Sequence, residues 1–131
     1  MSIVLLDTNV VSFIMDARPL AEEYLRLIGQ STPLISFMTV GELYEGAYRA
    51  KWGSRRFRRL IRALEDYPVL QSSVEISQRW GEIRTQRKRR PISTEDAWIA
   101  ATALAHGCPL VTHNPKDFED IPDLAVVTAI V

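Results

Sequence analysis

Three carboxylates carry the chemistry open to this sequence: Asp7, Glu42 and Asp96. Asp7 ends a short apolar run, Glu42 lies one turn into a helical pattern, and Asp96 falls in the first turn of another. Acids brought together repel and raise one another's pKa, so such a trio is costly unless a hard divalent cation neutralises it. No thiol pair is available, and His106 and His113 have no zinc-site spacing, so oxygen ligands favour Mg2+ or Mn2+ over zinc. Each acid also has a purely structural reading. Asp7 suits an N-cap for a helix starting near Val10, and Asp96 closes Ser93-Thr94-Glu95-Asp96, which is close to a capping box. Glu42 shares a helix stripe with Thr39 and Gly46, and Glu45 is the rival carboxylate if that helix faces the other way.

A second tier of polar residues follows a later apolar run, in Val111-Thr112-His113-Asn114-Pro115-Lys116-Asp117-Phe118. Thr112, Asn114 and Asp117 are the site candidates there, although Asn114 and Asp117 also suit ordinary turn chemistry around Pro115. His113 reads as a proton donor, a phosphate contact or, more simply, a lone surface histidine. His106 complements the C-terminus of its helix.

These residues need a scaffold that brings distant segments to one edge. The runs 3–6, 34–36, 68–70, 109–112 and 125–128 are short, apolar and continuous, as parallel strands buried on both faces are. Helical patterns alternate with them at 10–15, 20–29, 38–50, 54–66, 74–89 and 94–106. The alternation predicts an α/β fold with a mainly parallel sheet, its site beyond the carboxyl ends of the strands, where Asp7 falls. Thr39 is the expected cap of the helix carrying Glu42, Ser93 that of the helix over 94–106, and Gly107 the left-handed residue that ends it.

At 131 residues, with 47% hydrophobic and 24% charged, the chain is expected to form one domain over 1–131, with no disordered or low-complexity stretch. The opening residues hold no basic stretch and no long apolar segment, so the expected place is the cytoplasm, with no membrane contact. The lone Cys108, before Pro109-Leu110-Val111, reads as a small buried hydrophobe. Net charge is zero but uneven. Residues 49–90 hold 13 of the 16 Lys and Arg against only Glu65, Asp66, Glu75 and Glu82, which leaves an equal acidic excess in the two ends. This points to an anionic partner for the middle and a clustered acidic site elsewhere, or else to two solvated helix faces.

Four stretches in order, Leu6-Asp7-Thr8-Asn9, Val40-Gly41-Glu42-Leu43, Asp96-Ala97-Trp98-Ile99-Ala100-Ala101 and Thr112-His113-Asn114-Pro115-Lys116-Asp117-Phe118, resemble the four motifs of PIN-domain nucleases. Order and spacing are similar to those of the VapC toxins of bacterial toxin–antitoxin pairs. The resemblance runs end to end and implies a three-layer α/β/α sandwich. It also implies an endoribonuclease with Mg2+ or Mn2+ held by Asp7, Glu42 and Asp96, a homodimer, and an inhibitory VapB-like antitoxin. Many members carry a fourth aspartate where this chain has Asn114, and Asp117, three residues on, is the alternative. With RNA as partner, Arg49, Lys51, Arg55, Arg56, Arg58, Arg59, Arg62, Arg84, Arg87, Lys88, Arg89 and Arg90 become candidates for the backbone, and Arg55, Arg58, Arg59 and Arg62 share one helix stripe. Trp52 and Phe57 suit base stacking or packing. Two other readings fit the same residues: a non-catalytic RNA- or protein-binding module whose acids only cap helices, and a metal phosphoesterase acting on small substrates.

Overall fold

The computed structural model describes residues 2–86 and 90–129. Five strands, β1 (Ile3–Leu6), β2 (Thr32–Ser36), β3 (Val69–Leu70), β4 (Leu110–Val111) and β5 (Val126–Val127), form a sheet of order β3-β2-β1-β4-β5. Every pairing is parallel. Neighbouring residues of the central strands serve opposite faces. Leu5, Leu34 and Leu110 enter one core, whereas Leu6, Ile35 and Val111 enter the other. A sheet buried on both sides has no polar alternation, which is why these strands read as unbroken apolar runs.

Helices cover the two faces. On one side lie α1 (Thr8–Met15), α2 (Ala21–Ile28), α3 (Phe37–Arg49) and α4 (Ser54–Glu65), which enclose Val10, Tyr24, Ile28, Leu43 and Leu60. On the other lie α5 (Val74–Gln86) and α6 (Thr94–His106), whose Ile76, Ile83, Ile99 and Ala100 pack with Leu5 and Leu110. The α/β class and the three layers agree with the expectation. Cys108 is buried among these residues, and burial pushes its thiol up.

Several boundaries depart from the reading above: α1 begins at Thr8 and not near Val10, and two further departures bear on the strands and caps. The helix carrying Glu42 is capped by Ser36, whose Oγ accepts from Thr39 N at 3.1 Å, so Thr39 lies inside the first turn. Either hydroxyl could cap in principle, but only Ser36 stands at the strand end with extended backbone (ψ 159°). β2 begins at Thr32, two residues early, because Thr32 and Pro33 pair with Ile3 and Val4 of β1 despite carrying little strand signal of their own. The helix predicted over 74–89 is α5 as far as Gln86, and Arg87, Lys88 and Arg89 lie outside the described residues. Among the described residues, no helix is long and apolar enough to cross a membrane.

Candidate active site

The strand order reverses between β1 and β4, which remain parallel: from β1 the chain adds β2 and β3 on one side, then β4 and β5 on the other. At such a point the loops leaving two adjacent strands part, and a crevice opens at their carboxyl ends. Asp7 and Thr112, the residues immediately after β1 and β4, meet there. Thr112 Oγ1 donates to Asp7 Oδ2 at 2.7 Å and accepts from Asn114 N at 3.0 Å, while Asp7 Oδ1 accepts from Thr8 N at 2.8 Å as the N-cap of α1. Asp7 therefore both caps a helix and stands in the crevice. Burial raises its pKa, the bonds from Thr112 and Thr8 oppose that rise, and the Asp117 charge adds to it.

Glu42 arrives from β2. The Ser36 cap fixes where α3 starts, and Glu42, half-buried, receives a hydrogen bond from Thr8 Oγ1 at 2.7 Å, with Thr8 also 3.0 Å from Thr39 Oγ1. Burial raises the Glu42 pKa, the Thr8 bond lowers it, and the charges of Asp7, Asp96 and Glu95 raise it again. Its rival Glu45 is exposed and paired with Arg49 at 3.2 Å. The helix thus presents Glu42, not Glu45, to the crevice.

Asp96 comes from the opposite layer, at the start of α6. Ser93 Oγ accepts from Asp96 N at 3.1 Å, the expected cap, and Gly107 ends the same helix at φ 60°, in the left-handed region, also as expected. The Asp96 pKa is raised to about 6, first by burial and next by the charge of Asp7; Ser93 opposes the rise, and Asp117 and Glu95 add to it. Three acids from three separate elements therefore share one electrostatic field.

The second tier divides. Thr112 is fully buried and orients Asp7. Asn114 is exposed and opens the turn Pro115–Phe118; its backbone N–H, not its side chain, makes the bond to Thr112. Asp117 is near enough to act on the charges of Asp7 and Asp96, and its Oδ1 accepts from Arg90 at 2.6 Å. Arg90, grouped above with the backbone candidates, is therefore engaged beside the acids. Arg55, Arg58 and Arg59 are exposed on α4. His113 is no lone surface residue. It is half-buried, with Nδ1 2.5 Å from the Tyr24 hydroxyl and its ring edge-on to Phe13 at 5.2 Å between centroids. Trp52 and Phe57 pack against the core on the α1–α4 side.

Thr8, through its bond to Glu42, and Glu95, through its charge on Glu42 and Asp96, also act on the acids, and neither was singled out in the sequence. The available hint for Thr8 was a hydroxyl directly after the strand-ending acid, where the first helical turn must turn inward. For Glu95 it was adjacency to Asp96.

The donor set fits a hard divalent cation in chemistry and charge: it is all oxygen, and each acid raises or is raised by another. As their side chains stand, no three acidic, His or Cys groups among the described residues enclose an ion.

A family model described as "PIN domain" matches residues 4–124. The chain belongs to the PIN domain family. This PIN domain is 36% identical over 130 residues to "Ribonuclease VapC1" of Haemophilus influenzae (strain R2866), covering 93% of this chain and 94% of that one. It is similar in structure to VapBC2 from Rickettsia felis, solved bound to a promoter DNA fragment, with TM-score 0.84, 28% identity, and 96% and 98% of the two chains covered. It also matches a toxin–antitoxin complex from Klebsiella pneumoniae, with TM-score 0.78, 31% identity, and 97% and 98% coverage.

Proposed function

We propose that this PIN domain, formed by residues 1–131, is the endoribonuclease toxin of a type II toxin–antitoxin pair, hydrolysing RNA phosphodiester bonds at Asp7, Glu42 and Asp96. The observation that carries this reading is the convergence of these acids at the crevice between β1 and β4, each with a raised pKa. The ribonuclease named above, 36% identical over nearly its whole length, supports the reaction and the substrate class.

Asp7, Glu42 and Asp96 would hold Mg2+ or Mn2+. When bound, the cation neutralises charge on the scissile phosphate and acidifies water at the site. The protein's part is positional. Thr8 and Thr112 fix both oxygens of Asp7, so its carboxylate cannot turn away from the crevice. Thr8 also holds one Glu42 oxygen, which leaves the other to orient or deprotonate the attacking water. Asp96, with its pKa near 6, gives up its proton readily at neutral pH. Asp117, partnered by Arg90, is the better placed of the two fourth-position candidates, and Asn114 serves through its backbone. The exposed Arg55, Arg58 and Arg59 supply cationic contacts to the RNA backbone.

A VapB-like antitoxin would silence the site, and a second copy of the chain would complete a homodimer; solved VapBC and toxin–antitoxin relatives support the first of these. Both would act in the cytoplasm. The decisive assay incubates total RNA with the wild-type protein in Mg2+, in EDTA, and with Asp7→Asn. Cleavage in Mg2+ alone is the expected result. Equal cleavage under all three conditions would overturn the assignment of these acids, and RNA binding without cleavage would favour the non-catalytic module.

A further inference from the structure

Phe37, the first residue of α3, reaches across to the opposite layer. Its half-buried ring meets Trp98 of α6 edge-on, at 5.7 Å between centroids. Behind it, Trp98 lies nearly parallel to Trp80 of α5, at 4.9 Å and 16°. Because α3 covers one face of the sheet and α5 and α6 the other, the three rings form a stack that spans the two layers at the carboxyl edge.

The stack is tied to the segments that deliver two of the acids. Phe37 follows the Ser36 cap and precedes Glu42 on the same helix, and Trp98 follows Asp96 by less than a turn. Trp80 Nε1 donates to Thr94 O at 3.4 Å, and Arg84, one turn further along α5, donates to Ile92 O, so the carbonyls on either side of the Ser93 cap are both held from α5. Around a helix, Phe37 lies about 140° from Glu42 and Trp98 about 200° from Asp96. The rings therefore sit off the faces that carry the acids and bear on them through the helices.

We propose that Phe37, Trp98 and Trp80 are positioning residues, a bridge of rings that sets the spacing between Glu42 and Asp96. The proposal rests on the reading that these acids share a divalent cation. Groups that act together on one ligand must be held to within about 0.5 Å. Glu42 and Asp96 arrive on helices from opposite layers, so the contact between those helices decides how far apart they stand. Rings are rigid plates with few torsions and hold such a distance better than an aliphatic contact does. Trp80 and Trp98 also pack on the α5–α6 core, which favours positioning over stacking on RNA bases.

Mn2+ affinity is measured by titration calorimetry for wild type, Phe37→Leu, Trp98→Leu and the double variant. Each single substitution is expected to weaken binding about tenfold. The double variant should lose no more than either, because both break one bridge. Phe37→Tyr, which keeps the ring, is expected to bind as wild type does, and Ile76→Val, which thins the same core, to melt lower without weaker binding. Wild-type affinity in both leucine variants overturns the bridge, as do losses that simply add or an equal loss in Ile76→Val. So does a loss confined to binding of single-stranded RNA in EDTA, which would make the rings a stacking surface. Crystal structures of metal-free wild type and Phe37→Leu separate this proposal from the reading beneath it. The first turns of α3 and α6 are expected to shift relative to one another by about 0.5 Å or more. Such a shift in a protein whose wild type binds no Mn2+ overturns the cation assignment alone, and first turns that superpose overturn the bridge alone.

Discussion

At the residue scale, two threonine hydroxyls hold the candidate acids, Thr8 on Glu42 and Thr112 on Asp7. Thr112 donates to Asp7 and accepts from Asn114 N, so Thr112→Val removes the bond that orients the carboxylate and leaves a backbone N–H unpaired. Supporting groups of this kind are worth about 10- to 100-fold in metal affinity or activity. We expect a Mn2+ affinity loss in that range for Thr112→Val and near-normal binding for Thr112→Ser, measured by titration calorimetry. The acids also set a pH dependence. Asp96 has its pKa raised on folding, to about 6, so it binds its proton more tightly in the folded protein than in the unfolded one. Its contribution to stability is therefore fully present below the unfolded value and is lost as pH rises through about 6. Without metal, the melting temperature is expected to fall between pH 4 and pH 7, and Asp96→Asn to flatten that fall and melt above wild type at pH 7. A steeper fall in the variant would contradict the mutual repulsion of these acids. Of these residues, the three acids and Thr112 were candidates on the sequence alone. Thr8 stood there only within Leu6-Asp7-Thr8-Asn9, because its bond to Glu42 exists only once α3 places Glu42 against it.

At the element scale, strand ends and helix caps do the positioning. Asp7, Ser36 and Ser93 each cap a helix at the carboxyl edge of the sheet, so each cap sets the axial position of one acid. Ser36→Ala is expected to cost about 1 kcal/mol, read as a lower melting temperature. It should also reduce cleavage, because the start of α3 fixes the height of Glu42. A stability loss with unchanged cleavage would show that Glu42 is held by Thr8 alone. The caps at Asp7 and Ser93 and the left-handed Gly107 were legible because side-chain type and local spacing suffice to specify them. Thr39 was misread because Ser36 and Thr39 carry equivalent hydroxyls. Only the strand that delivers the chain decides between them.

At the scale of the molecule, the sheet order separates charge from charge. The acidic crevice takes residues from both ends of the chain, and the basic middle supplies α4 and α5. The segregation was readable in the sequence, but the face each arginine occupies was not. The predicted stripe of Arg55, Arg58, Arg59 and Arg62 is exposed, and so is Arg56, outside it, whose guanidinium lies over the Trp52 ring. Neutralising Arg55, Arg58 and Arg59 together is expected to lower the salt slope of binding to long RNA by about two to three. An unchanged slope would remove α4 from the RNA contact. The central claim, that Asp7, Glu42 and Asp96 jointly hold a catalytic divalent cation, is tested most directly by titrating Mn2+ into wild type, Asp7→Asn and Asp96→Asn at neutral pH. Saturable binding by wild type, lost in both variants, is the result predicted; variants that bind Mn2+ as wild type does would contradict it.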